Sequence, residues 1–154
     1  MKKINGPKTG AITNPMDAGT DGFQEFQALV ARKSETRSDR EKRETVLLSL
    51  SIMMEDYIES KSDHDVTAGE FLKLHLKLLN IRQKKFAEYI KINPANLSKI
   101  ISGERQINYE FASILGNIFN QDPMLWIRIQ AKNELNKVRK TKHNNYKLSD
   151  LVDF

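Results

Sequence analysis

The chain has 154 residues, which is enough for one well-buried core and short for two, so one globular domain plus an appendage is expected. It contains no cysteine, which excludes disulfides and cysteine-based metal sites, and its three histidines, His64, His75 and His143, lack the spacing of metal ligands. Since no apolar run is long enough for a signal-peptide core or a membrane span, we expect no membrane partner. We also expect neither a metal nor a cofactor.

The net charge of +5 lies in one part of the chain. Residues 1–62 contain ten Lys or Arg and ten Asp or Glu, whereas residues 63–154 contain fifteen and ten, so the whole excess belongs to the second part. Clustered basic charge is the electrostatic footprint of a protein that binds a polyanion, because neutralised phosphates contribute much of the affinity. An ordinary solvated surface is the alternative interpretation.

The first 38 residues are predicted to be a flexible lead that includes a short helix. Residues 1–22 are rich in Gly, Pro, Thr and Asn and show no periodicity. A short helix is then indicated by four apolar residues at helical spacing, which are Phe23, Phe26, Leu29 and Val30. A charged stretch from Lys33 to Arg40 interrupts this pattern before the next element.

Residues 39–62 are predicted to form an amphipathic helix. Apolar residues recur there every three or four positions, namely Val46, Leu47, Leu50, Met53, Met54, Tyr57 and Ile58. Such a stripe needs a covering surface, which is the rest of this chain, a second copy in a dimer, or a different protein. The candidate dimer or partner contacts are Leu47, Leu50, Met54 and Tyr57, together with the single tryptophan of the chain, Trp126.

Residues 63–140 are predicted to form a domain of five helices, followed by a C-terminal tail over residues 141–154. The first helix of the domain is expected from about Thr67 to Leu79, with one apolar face and with His75 at the edge of the core.

The last two helices of this domain have clear starting signals. Asn108 is suited to cap the fourth helix, because its short side chain accepts a bond from a free backbone N–H. The fifth helix is expected to begin after Asp122, with Pro123 at its first position. It carries Trp126, for which we consider a core anchor and a dimer contact.

The middle of the domain, residues 79–103, reads LNIRQKKFAEYIKINPANLSKIISG and predicts two short helices joined by a tight turn. The first, over residues 83–90, is expected to turn Phe86, Ala87 and Ile90 inward. Ala87 is suited to the crossing point of the two helices, since axes about 8–10 Å apart require a small residue there.

The second helix of this pair is expected to begin at Asn93, the N-cap, with Pro94 as the first helical residue. Its inward positions are Leu97, Ile100 and Ile101. Gly103 is suited to a left-handed residue after its end. The N-terminus and one face of this helix are left exposed, which is the geometry that enters a DNA major groove.

These residues resemble the Cro/repressor-like (XRE) helix-turn-helix family. Two further segments, DPMLWIRIQAKNEL at residues 122–135 and TAGEFL at residues 67–72, are similar to the HigA-type antitoxins of bacterial toxin–antitoxin pairs. The resemblance covers about residues 67–139. It implies an all-α fold with a five-helix lambda-repressor-like helix-turn-helix domain, to which this chain adds an N-terminal helical extension.

The chain departs from the family pattern at two positions. Lys91 stands in the turn where the family usually has Gly, and a left-handed Lys91 would cost about 1–2 kcal/mol. Ala68 stands where the family has Pro at the start of the first helix. Neither change removes a side chain expected to contact DNA.

The proposed DNA interface has two sets of residues. The expected base contacts are Pro94, Ala95, Asn96 and Lys99, with a phosphate contact as the alternative for Asn96. The expected phosphate contacts are Arg82, Gln83, Lys84, Ser98, Ser102, Arg105 and Asn108. A lysine can donate to guanine O6 or N7, whereas Pro and Ala can contact the methyl group of thymine.

The resulting hypothesis is a sequence-specific regulator of double-stranded DNA, acting as a homodimer on an inverted repeat. The family resemblance implies an antitoxin that represses its own operon, neutralises an mRNA-cleaving toxin, and works in the bacterial cytoplasm on the nucleoid. An orphan or phage-type repressor and a protein-interaction module without DNA binding are the alternatives. An enzyme is not expected, because the sequence has no phosphate-binding Gly loop, metal-ligand spacing or nucleophile with a recognisable base.

Overall fold

The structure, a computed structural model, describes residues 21–34, 38–61, 64–141 and 145–153, and within these ranges it is all-α. The helices are α1 (Asp21–Ser34), α2 (Asp39–Glu59), α3 (Ala68–Leu78), α4 (Gln83–Tyr89), α5 (Pro94–Ile101), α6 (Tyr109–Phe119) and α7 (Met124–Thr141), followed by a 3-10 turn at Leu148–Asp150. The all-α prediction is therefore confirmed. The first 20 residues of the predicted lead, and parts of the charged stretch and of the tail, lie outside the described residues.

Side-chain caps lie at the starts of α3, α6 and α7, and the cap at Asn108 confirms the prediction from the sequence. Thr67 and Glu70 form a reciprocal capping box at α3, in which the Thr67 Oγ1 accepts from the Glu70 N–H over 3.1 Å and the Glu70 carboxylate accepts from the Thr67 N–H over 2.7 Å. Asn108 caps α6 by accepting from the Phe111 N–H over 2.8 Å. At α7, the Asp122 carboxylate accepts from the Met124 N–H over 2.9 Å.

One hydrophobic core joins the five C-terminal helices. Its fully buried side chains include Leu72, Leu97, Leu115, Phe119, Trp126 and Ile129. Trp126 lies with its ring centroid 6.3 Å from that of Phe119 and 4.9 Å from the imidazole of His75. It is therefore a core anchor, and the alternative prediction of a dimer contact at Trp126 is wrong for this conformation.

The apolar stripe of α2 is covered by this chain itself. Helix α2 packs on α7 and α3, and its buried residues are Val46, Leu50, Met53, Met54 and Tyr57. Leu50, Met54 and Tyr57 are completely buried, so they cannot serve as the dimer or partner contacts expected from the sequence, and Leu47 is half-buried. Because α7 and α3 together offer a matching apolar surface, α2 belongs to the core and is not an appendage.

The C-terminal end of α2 is held by a lysine of α7. The Lys132 ammonium donates to the carbonyl oxygens of Tyr57 and Ser60, the latter over 2.8 Å, and to the Ser60 hydroxyl over 2.8 Å. It also lies 4.1 Å from the centroid of the Tyr57 ring. Helix α2 has no basic residue in its own last turn, so Lys132 supplies the cation that its free carbonyl groups favour.

A buried polar network extends this connection to the segment before α3. The Tyr57 hydroxyl donates to Asn133 Oδ1 and accepts from the Val66 N–H over 2.9 Å. The Asn133 side-chain amide in turn donates to the Val66 carbonyl over 2.9 Å. Since these buried groups satisfy one another, the network specifies how α2, α7 and the start of α3 fit together.

The sequence pattern predicts His75 at the edge of the core, but the residue lies in the centre of the core. It is completely buried, its Nδ1–H donates to the Phe71 carbonyl over 2.6 Å, and its Nε2 accepts from the Gln121 amide over 3.0 Å. Burial lowers the pKa of His75 to about 4, although both hydrogen bonds act to raise it. The imidazole is therefore neutral at physiological pH.

We predict that removal of Lys132 loosens the end of α2. Lys132→Met keeps most of the aliphatic stem but removes the charged donor shared by the carbonyl groups of Tyr57 and Ser60, which costs about 1.5–3 kcal/mol of unfolding free energy. Hydrogen exchange of the last turn of α2 should accelerate. Lys137→Met on the exposed side of α7, where Lys137 pairs with Glu134, is the matched control and should change neither quantity. Equal effects of the two substitutions would contradict this assignment.

We also predict a loss of stability in acid that depends on His75. Its folded-state pKa of about 4 lies below the unfolded value of 6.5, so the unfolded chain binds the proton more readily. The stability is complete above pH 6.5 and falls as the pH drops towards 4, by about 3 kcal/mol for a shift of this size. Denaturant titrations of His75→Gln should show a flatter pH profile over this window than those of the parent chain, and an unchanged profile would contradict the assignment to His75.

Candidate nucleic-acid interface

Helices α4 and α5 form a compact pair joined by a short turn. The Ile92 N–H donates to the Ala87 carbonyl over 3.0 Å, which closes the turn after α4. Lys91 is left-handed, with φ of 57°, as the comparison with a family Gly suggested. The cost of this conformation, about 1–2 kcal/mol, is offset by burial of Phe86 and Ala87 on one side of the turn and Leu97 on the other.

The start of α5 is fixed by local bonds. Asn93 accepts from the Ala95 N–H over 2.8 Å, and Pro94 occupies the first helical position, so both predictions are confirmed. Leu97 and Ile100 are buried. These contacts leave the tip of the helix, including Pro94 and Ala95, exposed to solvent.

One face of α5 points away from the core. Ala95, Lys99 and Ser102 are exposed and follow one another at spacings of four and three residues, with Ser98 beside them. Asn96 differs from the other three predicted base contacts because it is half-buried on the flank of the helix. The exposed face therefore combines a small apolar tip with hydroxyl groups and one ammonium.

Gln83, the first residue of α4, reaches across to this face. Its side-chain amide donates to the Ser98 hydroxyl over 3.0 Å. The sequence predicted both residues as phosphate contacts without indicating that they touch. The bond holds two polar groups from different helices at one point on the outer surface.

The flank of α5 borders a shallow cleft of about 240 Å³. Its walls include Lys91, Asn96, Arg105 and Asn108, and its floor includes Ile100. The structure thus brings three predicted DNA contacts together and adds Lys91, which sequence reasoning considered only for its backbone. The signal in the sequence that could have identified Lys91 is its position in the turn between the two helices, close to Asn96.

Besides Gln83 and Ser98, two further predicted phosphate contacts already have partners in the protein. The side-chain Oδ1 of Asn108 accepts from the Phe111 N–H in the cap of α6, and the Ser102 hydroxyl donates to the Lys99 carbonyl over 3.1 Å. Each retains further hydrogen-bonding capacity, since an amide has two N–H donors and a hydroxyl also accepts. Arg82, by contrast, precedes α4 without a side-chain capping bond, and its exposed guanidinium is available.

The electrostatics of the helix pair are strongly basic. Residues 82–105 contain six Lys or Arg against two carboxylates, Glu88 and Glu104, so most of the net charge of the chain is concentrated here. All six cations are exposed. Within the described part of the chain no group of His, Asp and Glu is arranged to hold a metal ion, and none of the described helices is long and apolar enough to span a membrane.

Part of this chain is similar to known proteins. Virulence-associated protein A' of Dichelobacter nodosus is 37% identical over 71 residues, which cover 46% of this chain and 62% of that protein. An uncharacterized HTH-type transcriptional regulator, YddM, of Escherichia coli (strain K12) is 26% identical over 73 residues, covering 47% of this chain and 78% of the relative.

The chain thus spans less than two thirds of the first of these relatives, and no solved structure gave a significant match. The model of the helix-turn-helix family matches residues 72–126, from within α3 to the start of α7. Together with the geometry of α4 and α5, this match shows that residues 72–126 form a helix-turn-helix domain.

Proposed function

We propose that this protein is a sequence-specific transcriptional regulator that binds double-stranded DNA. The observation that carries the proposal is the exposed face of α5, which presents Ala95 and Lys99 above a buried Leu97 and Ile100. The concentration of basic charge around this face supports it, because phosphate neutralisation drives DNA binding. The printed name of the Escherichia coli relative, an HTH-type transcriptional regulator, is compatible with it.

In this proposal α5 lies in the major groove with its N-terminal residues towards the bases. Lys99 donates to O6 or N7 of a guanine, and Pro94 and Ala95 contact thymine methyl groups. Asn96, which is half-buried beside the cleft, is assigned to the phosphate backbone instead of a base. The base-reading surface is therefore smaller than the sequence suggested.

The phosphate contacts are proposed to lie on both sides of α5. On the α4 side they are Arg82, Lys84 and the bonded pair formed by Gln83 and Ser98. On the other side they are Ser102, Arg105 and Asn108, near the cleft. Contacts on both sides would fix the depth and angle at which α5 enters the groove, while leaving sequence preference to Lys99 and Ala95.

We predict that two substitutions separate these roles. Lys99→Ala should remove about 1–3 kcal/mol of discrimination at one base pair, because a good base contact contributes that much. Arg82→Ala should weaken binding to all sequences together and reduce the slope of log affinity against log salt by about 1. Fluorescence anisotropy with a selected operator and its single-base variants measures both effects.

Arg43→Ala is the control for this experiment, since Arg43 is exposed on α2, which packs on α1, α3 and α7. It removes one positive charge away from the helix pair and should leave specificity and salt slope nearly unchanged. The proposed roles are wrong if Lys99→Ala and Arg82→Ala weaken binding equally on every sequence. Affinity for DNA that is insensitive to both salt and sequence would favour a protein-interaction module instead.

We further propose a homodimer on an inverted repeat, because one recognition helix reads only a few base pairs. The stripe of α2 is not available for this contact, as it is buried. The outer side of α7 carries the exposed apolar residues that such a contact requires, among them Met124, Leu135 and Val138.

The finer proposal is that the regulator is the antitoxin of a toxin–antitoxin pair, acting on the bacterial nucleoid and repressing its own operon. The resemblance of residues 67–72 and 122–135 to HigA-type antitoxins supports it, and the relative named a virulence-associated protein is compatible with it. The expected toxin contact is the outer side of α2, where Leu48 and Ile52 are exposed one helical turn apart.

Co-expression tests this finer proposal. A host expressing the small reading frame adjacent to the gene should stop growing, and this protein should restore growth. Leu48→Asp with Ile52→Asp should abolish the rescue, whereas Lys99→Ala should retain it, because toxin contact and base contact use different surfaces. Absence of growth arrest, with the toxin candidate shown to be expressed, would contradict the antitoxin role and leave a repressor without a toxin.

A further inference from the structure

An uncovered apolar strip runs along the outer side of α7. It consists of exposed Met124, Ala131, Leu135 and Val138 together with half-buried Ile127, and all five lie within one face of the helix at 100° per residue. Met124 and Leu135 are 51% and 54% exposed, on the side of the helix opposite to buried Trp126 and Ile129. A surface helix normally has charged residues on this side, so the strip indicates a contact that the single chain does not make.

A groove widens the strip near its middle. It has a volume of about 300 Å³ and lies between the start of α6 and α7, with Tyr109, Ile127 and Ala131 among its lining residues. Tyr109 is 79% exposed although it begins a helix of the core domain. The strip and the groove together offer both a ridge of side chains and a depression beside it.

The C-terminal segment, residues 146–153, is a second uncovered apolar element. Tyr146, Leu148 and Leu151 are exposed, the last of them by 84%, and Val152 is 43% exposed. Residues Leu148–Asp150 form a 3-10 turn, whose repeat of three residues brings Leu148 and Leu151 to one side. Nothing in the described chain covers this side of the segment.

The charges of the two elements are complementary. Residues 146–153 contain two carboxylates, Asp150 and Asp153, and one cation, Lys147, so the segment has a net negative charge. On α7, exposed Arg128 and Arg139 lie on the same side of the strip, three helical turns apart. On the other side of the strip, Glu134 already pairs with Lys137 over 3.3 Å, so Arg128 and Arg139 provide the positive charge that an acidic segment would meet.

We propose that residues 146–153 of a second copy of this chain pack on the apolar strip of α7, with Asp150 and Asp153 beside Arg128 or Arg139. A second copy is the occupant because the segment and the strip are both exposed within one chain, and a two-fold exchange buries two copies of each. This inference rests on the homodimer of the proposed function and assigns its contact surface.

Dimer affinity tests the apolar part of the contact. In sedimentation equilibrium of the full chain, Leu148→Ser with Leu151→Ser should raise the dimer dissociation constant at least about tenfold, and so should Leu135→Asp, since each removes a central apolar contact. Leu48→Asp, an equally exposed leucine on α2, is the matched control and should leave the constant unchanged. An unchanged constant for both sets of variants would overturn the proposal.

Charge reversal tests the polar part. Asp150→Lys with Asp153→Lys should weaken the dimer, and adding Arg128→Glu with Arg139→Glu in the same chain should restore it, because the sign of each pair is then exchanged. As a control, the aspartate reversals are combined with Arg43→Glu on α2 instead of the two α7 reversals, and this variant should not restore the dimer. Absence of restoration by the α7 reversals would contradict the assigned pairing.

A disulfide identifies the copy from which the segment comes. The chain contains no cysteine, so Leu151→Cys with Leu135→Cys introduces the only two thiols. Oxidation should give a covalent dimer on a non-reducing gel. A covalent link within one chain would overturn the assignment to a second copy. DNA affinity is measured separately, so a chain that dimerises in this way without binding DNA would refute the proposed regulator and leave this inference standing.

Discussion

The close approach of α3 to the end of α5 determines where the exposed face of α5 lies. A Cβ atom at Gly69 would be 2.1 Å from the Ile100 carbonyl oxygen and 2.6 Å from that of Ile101, so only glycine allows the two backbones to meet. Burial of Leu97 and Ile100 then sets the rotation of α5 about its axis. With its position and rotation both set, α5 presents Ala95 and Lys99 outward without any loop that must order on binding.

The N-terminal helices extend this framework. Lys132 and Asn133 of α7 hold the end of α2: the Lys132 ammonium donates to the Ser60 carbonyl, and the Asn133 side chain accepts from the Tyr57 hydroxyl. The apolar stripe of α2 is therefore buried against the core. The Gln121 amide, which donates to His75, also reaches the Leu47 carbonyl over 3.5 Å. A protein partner of α2 would therefore bind an element that is part of the same core as the helix-turn-helix domain.

The surfaces proposed for function are separate. The groups proposed to contact bases and phosphates lie on α4, α5 and the turns beside them. The exposed leucine and isoleucine of the proposed toxin contact lie on α2, and the proposed dimer contact lies on α7. Since α2 and α7 pack on each other, a partner on α2 and a second copy on α7 would both act on the same helix pair. Because the two proposed sites lie on different helices, binding on α2 would affect binding on α7 through the contact between these two helices.

The sequence by itself determined the helices, the caps at Asn93 and Asn108, and the helix-turn-helix pattern, because these depend on local spacing: each cap bonds to a residue two or three positions away. It could not decide what covers the α2 stripe, since an apolar face looks the same whether α7, a second copy or another protein buries it. The role of Lys132, the central position of His75, the bond between Gln83 and Ser98 and the half-burial of Asn96 were also decided by tertiary structure. Each depends on residues that are distant in sequence, and spacing along one helix carries no information about them.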